Sequence, residues 1–247
     1  MVKGMFDMAL QRAPLYRQIY ADLESRILKN ELRVGDSMPA EQTLADGLQV
    51  HRSSVREALR LLEENGLVAR RPGGKKLFVQ KPDRRKLGTR ISNAFVLEEV
   101  SFNELYEGIR VIDTSIGVAA AEKISDRLLD QLEENLRQTE LNMNNREALL
   151  ELDAQFHDLI AEGSCNRVLQ MSRLGISQVF FRAAHRLMSQ LNVNHRLLEA
   201  HRQIYAGLRA HDPEQVRIWT LKHTDDFKRG YEVAGLNLHE TIKVDDL

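Results

Sequence analysis

At 247 residues and 43% hydrophobic content the chain exceeds one ordinary domain and can bury sizeable cores, which argues against disorder and for two domains. No apolar run approaches bilayer length, the opening MVKGMFDMALQRAP lacks the continuous apolar core of a secretory signal, and the lone Cys165 excludes an internal disulfide or a multi-cysteine zinc module; these point to the cytoplasm, with no membrane partner. The net charge of -1 divides unevenly: residues 1–86 carry 17 Lys+Arg against 11 Asp+Glu and the remainder 18 against 25, so a basic head suited to a polyanion precedes an acidic body.

Leu15, Ile19, Leu23 and Ile27 recur at helical spacing and predict a first helix over residues 14–29. A turn through Arg33 to Pro39 leads to a short second helix that carries Leu44, Ala45 and Leu48, with Pro39 or Ala40 in its first turn. A third helix over 53–65 places Val55, Ala58, Leu59 and Leu62 on one face and ends at Gly66. The segment GLVARRPGGKKLFVQ reads as two short strands around Pro72, Gly73 and Gly74. Three helices followed by a basic hairpin make a winged helix-turn-helix, expected over residues 10–80.

Arg52, Arg56 and Arg60 repeat every four residues along the third helix and form a cationic row. Such a row is either a solvated helix face or a groove reader; the guanidinium fork matches guanine edges, and a recognition helix approaches bases with its N-terminal end. Base reading therefore falls mainly to Arg52 and Arg56. Ser53 and Ser54, with the free amides of the helix start, are candidate phosphate anchors, as are Arg70, Arg71, Lys75 and Lys76 of the wing.

The stretch MPAEQTLADGLQVHRSSVREALRLLEENGLVARRPGG resembles the signature of the GntR family of bacterial regulators, through Pro39–Ala45, Val50–Arg52, Val55–Leu59 and Leu62–Leu67. The resemblance adds Glu41 and Gln42 to the DNA-binding set. It also exposes three departures: Ala40 replaces a capping serine, Gln42 stands where a DNA-contacting arginine is common, and His51 replaces the serine before Arg52.

Residues 81–89, KPDRRKLGT, read as a linker, where Pro82, Gly88 and a charge cluster interrupt two well-patterned regions. After it, residues 90–235 read as six or seven helices in an antiparallel, all-α bundle, with a capping box at Ser101 and Glu104 and a helix start at Asp212, Pro213 and Gln215. Four polar residues interrupt its apolar stripes. Asp153 and His157 edge the stripe of Leu149, Leu152, Phe156 and Ile160; His201 shares a face with Leu197, Ile204 and Leu208; His223 shares one with Val216, Trp219 and Phe227. Three imidazoles and a carboxylate aimed inward from three helices suit a divalent metal, zinc first, with nickel, manganese or iron as alternatives. Each residue also has an ordinary reading, as a hydrogen-bonded core histidine or an intrahelical Asp153–His157 pair.

This region is similar to the FadR-type effector domain called FCD, in the strings at residues 105–121, 153–160 and 199–212 and in His223. The resemblance implies Asp153, His157, His201 and His223 as metal ligands. It also implies an effector-facing Arg110, with Tyr106 and Asp113 on the same helical face; an Arg110–Asp113 pair at i, i+3 is the plain alternative. His51, His185, His195, His211 and His239 read as surface or structural residues, and Cys165 as packing.

Together these readings describe a mainly α transcription regulator, a repressor by default. It would be a homodimer on a near-palindromic double-stranded operator, with affinity modulated by a small organic acid bound beside the metal. Two rivals remain at this stage: a metal-dependent hydrolase, against which four protein ligands leave little room for an activated water, and an architectural DNA-binding protein with a purely structural metal.

Overall fold

The computed structural model describes residues 13–190 and 194–243, with 181–190 as backbone. Residues 10–12 of the expected first domain and the His185 side chain lie outside the described residues. The chain divides into two compact units, Met1–Asp83 and Arg84–Leu247.

In the first unit α1 (Leu15–Leu28), α2 (Glu41–Leu48) and α3 (Arg52–Glu64) are followed by β1 (Val68–Arg70) and β2 (Leu77–Val79). The three helices fall within one or two residues of the expected bounds because each apolar stripe finds a partner. Ile19, Leu23 and Ile27 of α1 and Val55, Ala58, Leu59 and Leu62 of α3 close one core with Met38, Ala45, Val68 and Val79. Gln49, at φ +54°, terminates α2 in the left-handed region and makes the tight turn into α3, while Gly66, at φ +74°, ends α3 as expected. The strands are antiparallel, Val68 opposite Val79. Residues 35–38 lie along the other edge of β2, through Gly35 N–H to Val79 O (2.8 Å) and Met38 N–H to Leu77 O (2.9 Å), so the wing is anchored on both sides. Leu62 is fully buried at the centre of this core. Leu62→Ala is expected to cost about 2–5 kcal/mol, the range for a large-to-small change in a packed interior, measured by urea unfolding.

The second unit contains, among the described residues, seven helices: α4 (Arg84–Leu97), α5 (Phe102–Lys123), α6 (Asp126–Leu141), α7 (Arg146–Gly163), α8 (Arg167–Gln190), α9 (Asn194–Arg209) and α10 (Pro213–Val233). Helix α5 is the hub, packing against α7, α8, α9 and α10. Both expected helix starts form: Ser101 and Glu104 make a reciprocal capping box on α5, and the Asp212 carboxylate accepts from Glu214 N–H and Gln215 N–H with Pro213 in the first turn of α10.

Three expectations are corrected. Residues 84–89 are the first turns of α4 and not linker, because Gly88 is a contact point and not a breaker: a Cβ there would lie 2.7 Å from Gln178 Nε2 on α8. The helical unit also runs past 235. Its tail returns to the start of α5, with Ile242 N–H on Val100 O (2.9 Å), Asn103 N–H on Leu238 O (2.9 Å), and Ile242 buried beside Phe102. Cys165 is exposed, not packed, at a left-handed position (φ +51°) just past α7.

Helices α4 and α8 meet at small residues. Ser92 Oγ donates to Gly88 O (2.9 Å) and lies 3.1 Å from Gly175 O, and a Cβ on Gly175 would stand 2.1 Å from Ile91 Cγ2. Gly175→Ala is therefore expected to push the two helices apart and to destabilise by about 1–3 kcal/mol, the usual cost of overpacking, read as a lower melting temperature.

Candidate nucleic-acid interface and metal centre

Helix α3 starts at a cap that the sequence reading had not assigned: His51 Nδ1 accepts from Ser53 N–H at 3.3 Å and lies 2.7 Å from Ser53 Oγ. The residue that stands in the usual serine's place thus caps the helix, although a histidine is not an ordinary cap. Ala40, as expected, gives α2 no side-chain cap. Ser53 and the more enclosed Ser54 open α3, Ser54 N–H donating to His51 O (3.0 Å).

The arginine row divides into two environments. Glu41, at the start of α2, accepts from Arg52 Nε (2.9 Å) and Arg56 Nε (3.3 Å), so one carboxylate fixes the two guanidiniums of the α3 N-terminal half. These hydrogen bonds outweigh the cost of Glu41's partial burial and hold its pKa below the usual value. Arg60, one turn on, is held instead by Glu57 and Glu64 of its own helix. Gln42 donates to Asp46 Oδ1 at 2.7 Å. In the wing, Arg70 faces Glu63 (3.4 Å), Arg71 lies over the Phe78 ring (4.0 Å to its centroid), and Lys75 and Lys76 are exposed. All eleven residues expected to address DNA are on this unit's surface or its edge, and the structure brings Arg52, Arg56 and Glu41 together.

In the second unit α7, α9 and α10 bring Asp153, His157, His201 and His223 to one point, all buried, with a donor atom of each within 4.8 Å of the others. His223 Nε2 lies 3.2 Å from His157 Nε2 and 3.3 Å from His201 Nε2; Asp153 Oδ1 lies 3.2 Å from His201 Nε2 and 3.8 Å from His157 Nε2. The His201 ring stacks on Phe156 (3.8 Å between centroids, 9° between planes) and His223 meets Phe227 edge-on, so aromatic side chains hold both rings. Burial pushes His201 and His223 down to about 3 and His157 well below its ordinary range, so the imidazoles are neutral and their lone pairs available. Burial raises Asp153 to about 6.

The donor set fits a divalent cation. His223 Nε2 stands 3.2–3.3 Å from the Nε2 atoms of both other neutral imidazoles and can share a proton with only one of them at a time, and Asp153 Oδ1 is buried without a hydrogen bond. Both deficits disappear if the atoms face a cation. Donors about 2.0–2.1 Å from a tetrahedral zinc stand about 3.3 Å apart, close to most of the spacings found.

The expected effector group is split. Tyr106 Oη donates to Asp225 Oδ1 (2.7 Å) and Arg110 Nε donates to the same oxygen (2.9 Å). Burial, then the Asp225 contact, raises the Tyr106 phenol to about 12. These hydrogen bonds outweigh partial burial and hold Asp225 below the usual carboxylate range. Asp113, one turn further along α5, is buried and bonded to Arg173 Nε of α8 (2.8 Å), so the alternative Arg110–Asp113 pair does not form. The sequence reading missed Asp225 and Arg173. A signal existed for Arg173, which interrupts the α8 stripe of Leu169, Ile176 and Phe180 with a charge. His211, expected as a surface or structural residue, lies with Nδ1 2.7 Å from Ala121 O.

Residues 15–75 match the model of the bacterial regulatory proteins of the gntR family, and residues 104–226 match the FCD domain. The HTH-type transcriptional regulator LutR of Bacillus subtilis (strain 168) is 28% identical over 218 residues, 83% of this chain and 97% of its own length. The HTH-type transcriptional repressor NanR of Escherichia coli (strain K12) is 26% identical over 231 residues, 92% of this chain and 88% of its own. Among solved structures, Streptococcus agalactiae GntR is similar at a TM-score of 0.65 and 26% identity, covering 87% of this chain and 99% of that one.

A winged helix-turn-helix that matches the gntR model, in one chain with a helical unit that matches the effector-binding FCD domain and with transcriptional regulators as relatives, defines a DNA-binding transcription regulator and not an enzyme. The chain belongs to the gntR family of bacterial regulatory proteins, in the FadR-like branch that carries an FCD domain. No helix among the described residues is long and apolar enough to cross a membrane.

Proposed function

We propose that this regulator is a cytoplasmic homodimeric repressor that binds a near-palindromic operator and changes its operator affinity when a small carboxylate metabolite binds beside a metal ion in the FCD domain. The observation that carries the reading is the buried convergence of Asp153, His157, His201 and His223. These four residues would hold the ion, with zinc the first choice for a histidine-rich set with one carboxylate. A bound divalent ion supplies a fixed positive charge that attracts an anionic ligand. Arg110 and Tyr106, which already bind the Asp225 carboxylate, are candidate contacts for the ligand's anionic group.

On the DNA side, Arg52 and Arg56 read base edges. Their Nε atoms are engaged by Glu41, so their terminal nitrogens address the groove. Ser53, Ser54, Gln42, Arg60, Arg70, Arg71, Lys75 and Lys76 supply phosphate contacts and affinity. Repression is favoured by the resemblance to NanR, whose name describes a repressor. A ligand couples to the operator only by the difference between its affinities for the two arrangements of the dimer.

The test is a titration of metal-loaded protein with a panel of small organic acids, reading operator affinity by fluorescence anisotropy at fixed salt. At least one acid should shift the operator dissociation constant by about 5- to 150-fold, the usual span of an allosteric coupling. An acid that binds the protein and leaves operator affinity unchanged would reject the coupling and favour a purely structural metal.

A further inference from the structure

We infer that Asp113 and Arg173 are positioning residues of the metal centre, fixing the His157 ring through its outer nitrogen, an inference that rests on the metal reading above. His157 turns Nε2 toward His223 (3.2 Å) and Asp153 (3.8 Å), so that is the nitrogen it offers to an ion. Its ring proton then sits on Nδ1, and Nδ1 faces Asp113 Oδ2 at 3.7 Å. At 3.7 Å the carboxylate acts on that N–H through its charge and not through a hydrogen bond of ordinary length; a carboxylate beside the outer N–H of a metal-bound imidazole favours that tautomer and makes the ring a stronger donor to the metal.

The carboxylate is itself held in place. Asp113 is 7% exposed, and its second oxygen, Oδ1, accepts from Arg173 Nε at 2.8 Å. Arg173 is 3% exposed and extends Nη1 to Asp158 Oδ1 (2.8 Å), whose side chain reaches solvent. The Arg173 fork thus spans from a surface carboxylate to a buried one, and the buried one faces a metal ligand. Asp113 (α5), His157 (α7) and Arg173 (α8) come from three different helices, and both charged residues interrupt apolar stripes: Ile109, Ile116 and Ala120 flank Asp113, and Leu169, Ile176 and Phe180 flank Arg173. A buried ion pair is seldom a gain in stability over apolar residues of the same volume, so a place beside the ligand His157 is a better account of its position than helix pairing.

The full-length protein is stripped of metal, and its zinc affinity is measured by competition with a chromophoric chelator, with the cobalt(II) absorption spectrum and the melting temperature of the metal-free protein recorded in parallel. Asp113→Asn, close in shape to the native side chain, should weaken zinc binding about 10–100-fold, the scale found when an outer partner of a ligand is removed, and shift the cobalt bands. Arg173→Lys keeps the charge but cannot span both carboxylates, and should act in the same direction. In the Asp113→Asn background Arg173→Lys should add no further loss, because the arginine acts through the aspartate. Unchanged zinc affinity in Asp113→Asn, with a lowered metal-free melting temperature, would reduce the pair to a tie between helices and overturn the inference. If Arg173→Lys fails to fold, the Asp113→Asn result decides alone. A wild-type chain that takes up no zinc or cobalt would remove the metal reading and this inference with it, whereas tight wild-type binding with unaltered variants retires the positioning role alone.

Discussion

Replacing Arg52 and Arg56 together by alanine is expected to abolish the preference for the operator over a scrambled duplex while leaving the winged domain folded. Both side chains are more than half exposed and lie off the apolar face of α3, so Val55, Ala58, Leu59 and Leu62 keep their packing. A well-formed bidentate contact is worth about 1–3 kcal/mol of discrimination, so each arginine should contribute about 5- to 150-fold and the pair should approach the non-specific level. Lys75→Gln in the wing should instead weaken all sequences alike and lower the salt dependence. The measurement is anisotropy at several salt concentrations, using an operator selected from a random duplex pool. Retained preference in the double variant would move base reading away from α3. Glu41→Ala provides a finer check: it releases both guanidiniums at once, so it should reduce specificity even though the lost group is an anion that DNA repels.

The second large effect concerns the four-residue centre, and its two parts have opposite signs. Adding zinc to metal-free protein should raise the melting temperature steeply, because an ion that binds the folded state at a thousand times its dissociation constant adds about 4 kcal/mol. His223→Ala should eliminate that increment, since His223 Nε2 lies within 3.3 Å of both other imidazole donors. Asp153→Asn should also eliminate it. Without metal, however, Asp153→Asn should leave the melting temperature unchanged or higher: the native carboxylate is buried, Oδ1 lacks a hydrogen bond, and burial alone pushes it toward the protonated form. Calorimetry with and without zinc separates the two parts. An Asp153→Asn protein that still gains stability from zinc would take the carboxylate out of the ligand set.

Both sets of residues were legible as residues because each breaks a local pattern. A row of arginines at four-residue spacing and histidines inside apolar stripes stand out against helical periodicity, which needs no knowledge of the neighbours. The same periodicity gave the winged head, the α5 capping box and the α10 start, since caps and turns are local chemistry. Gly88 was misread for a complementary reason. A glycine can end a helix or let two helices approach, and whether it faces empty space or Gln178 depends on an element ninety residues away. The tail beyond 235 has no strong pattern, and its order comes from the pairing with Val100 and Asn103.

What the amino-acid order determined alone was the set of elements and the face each would bury, since helical spacing, caps and turn residues act within a few positions along the chain. The pairing of those faces was decided in three dimensions. Arg110 had two carboxylates to choose from, Asp113 on its own helix and Asp225 on α10, and geometry selected the distant one because Asp113 is buried against Arg173. Glu41 became the common anchor of Arg52 and Arg56 by the same kind of selection. Charges find partners by distance and desolvation, and both are properties of the packed molecule that no spacing along one helix contains.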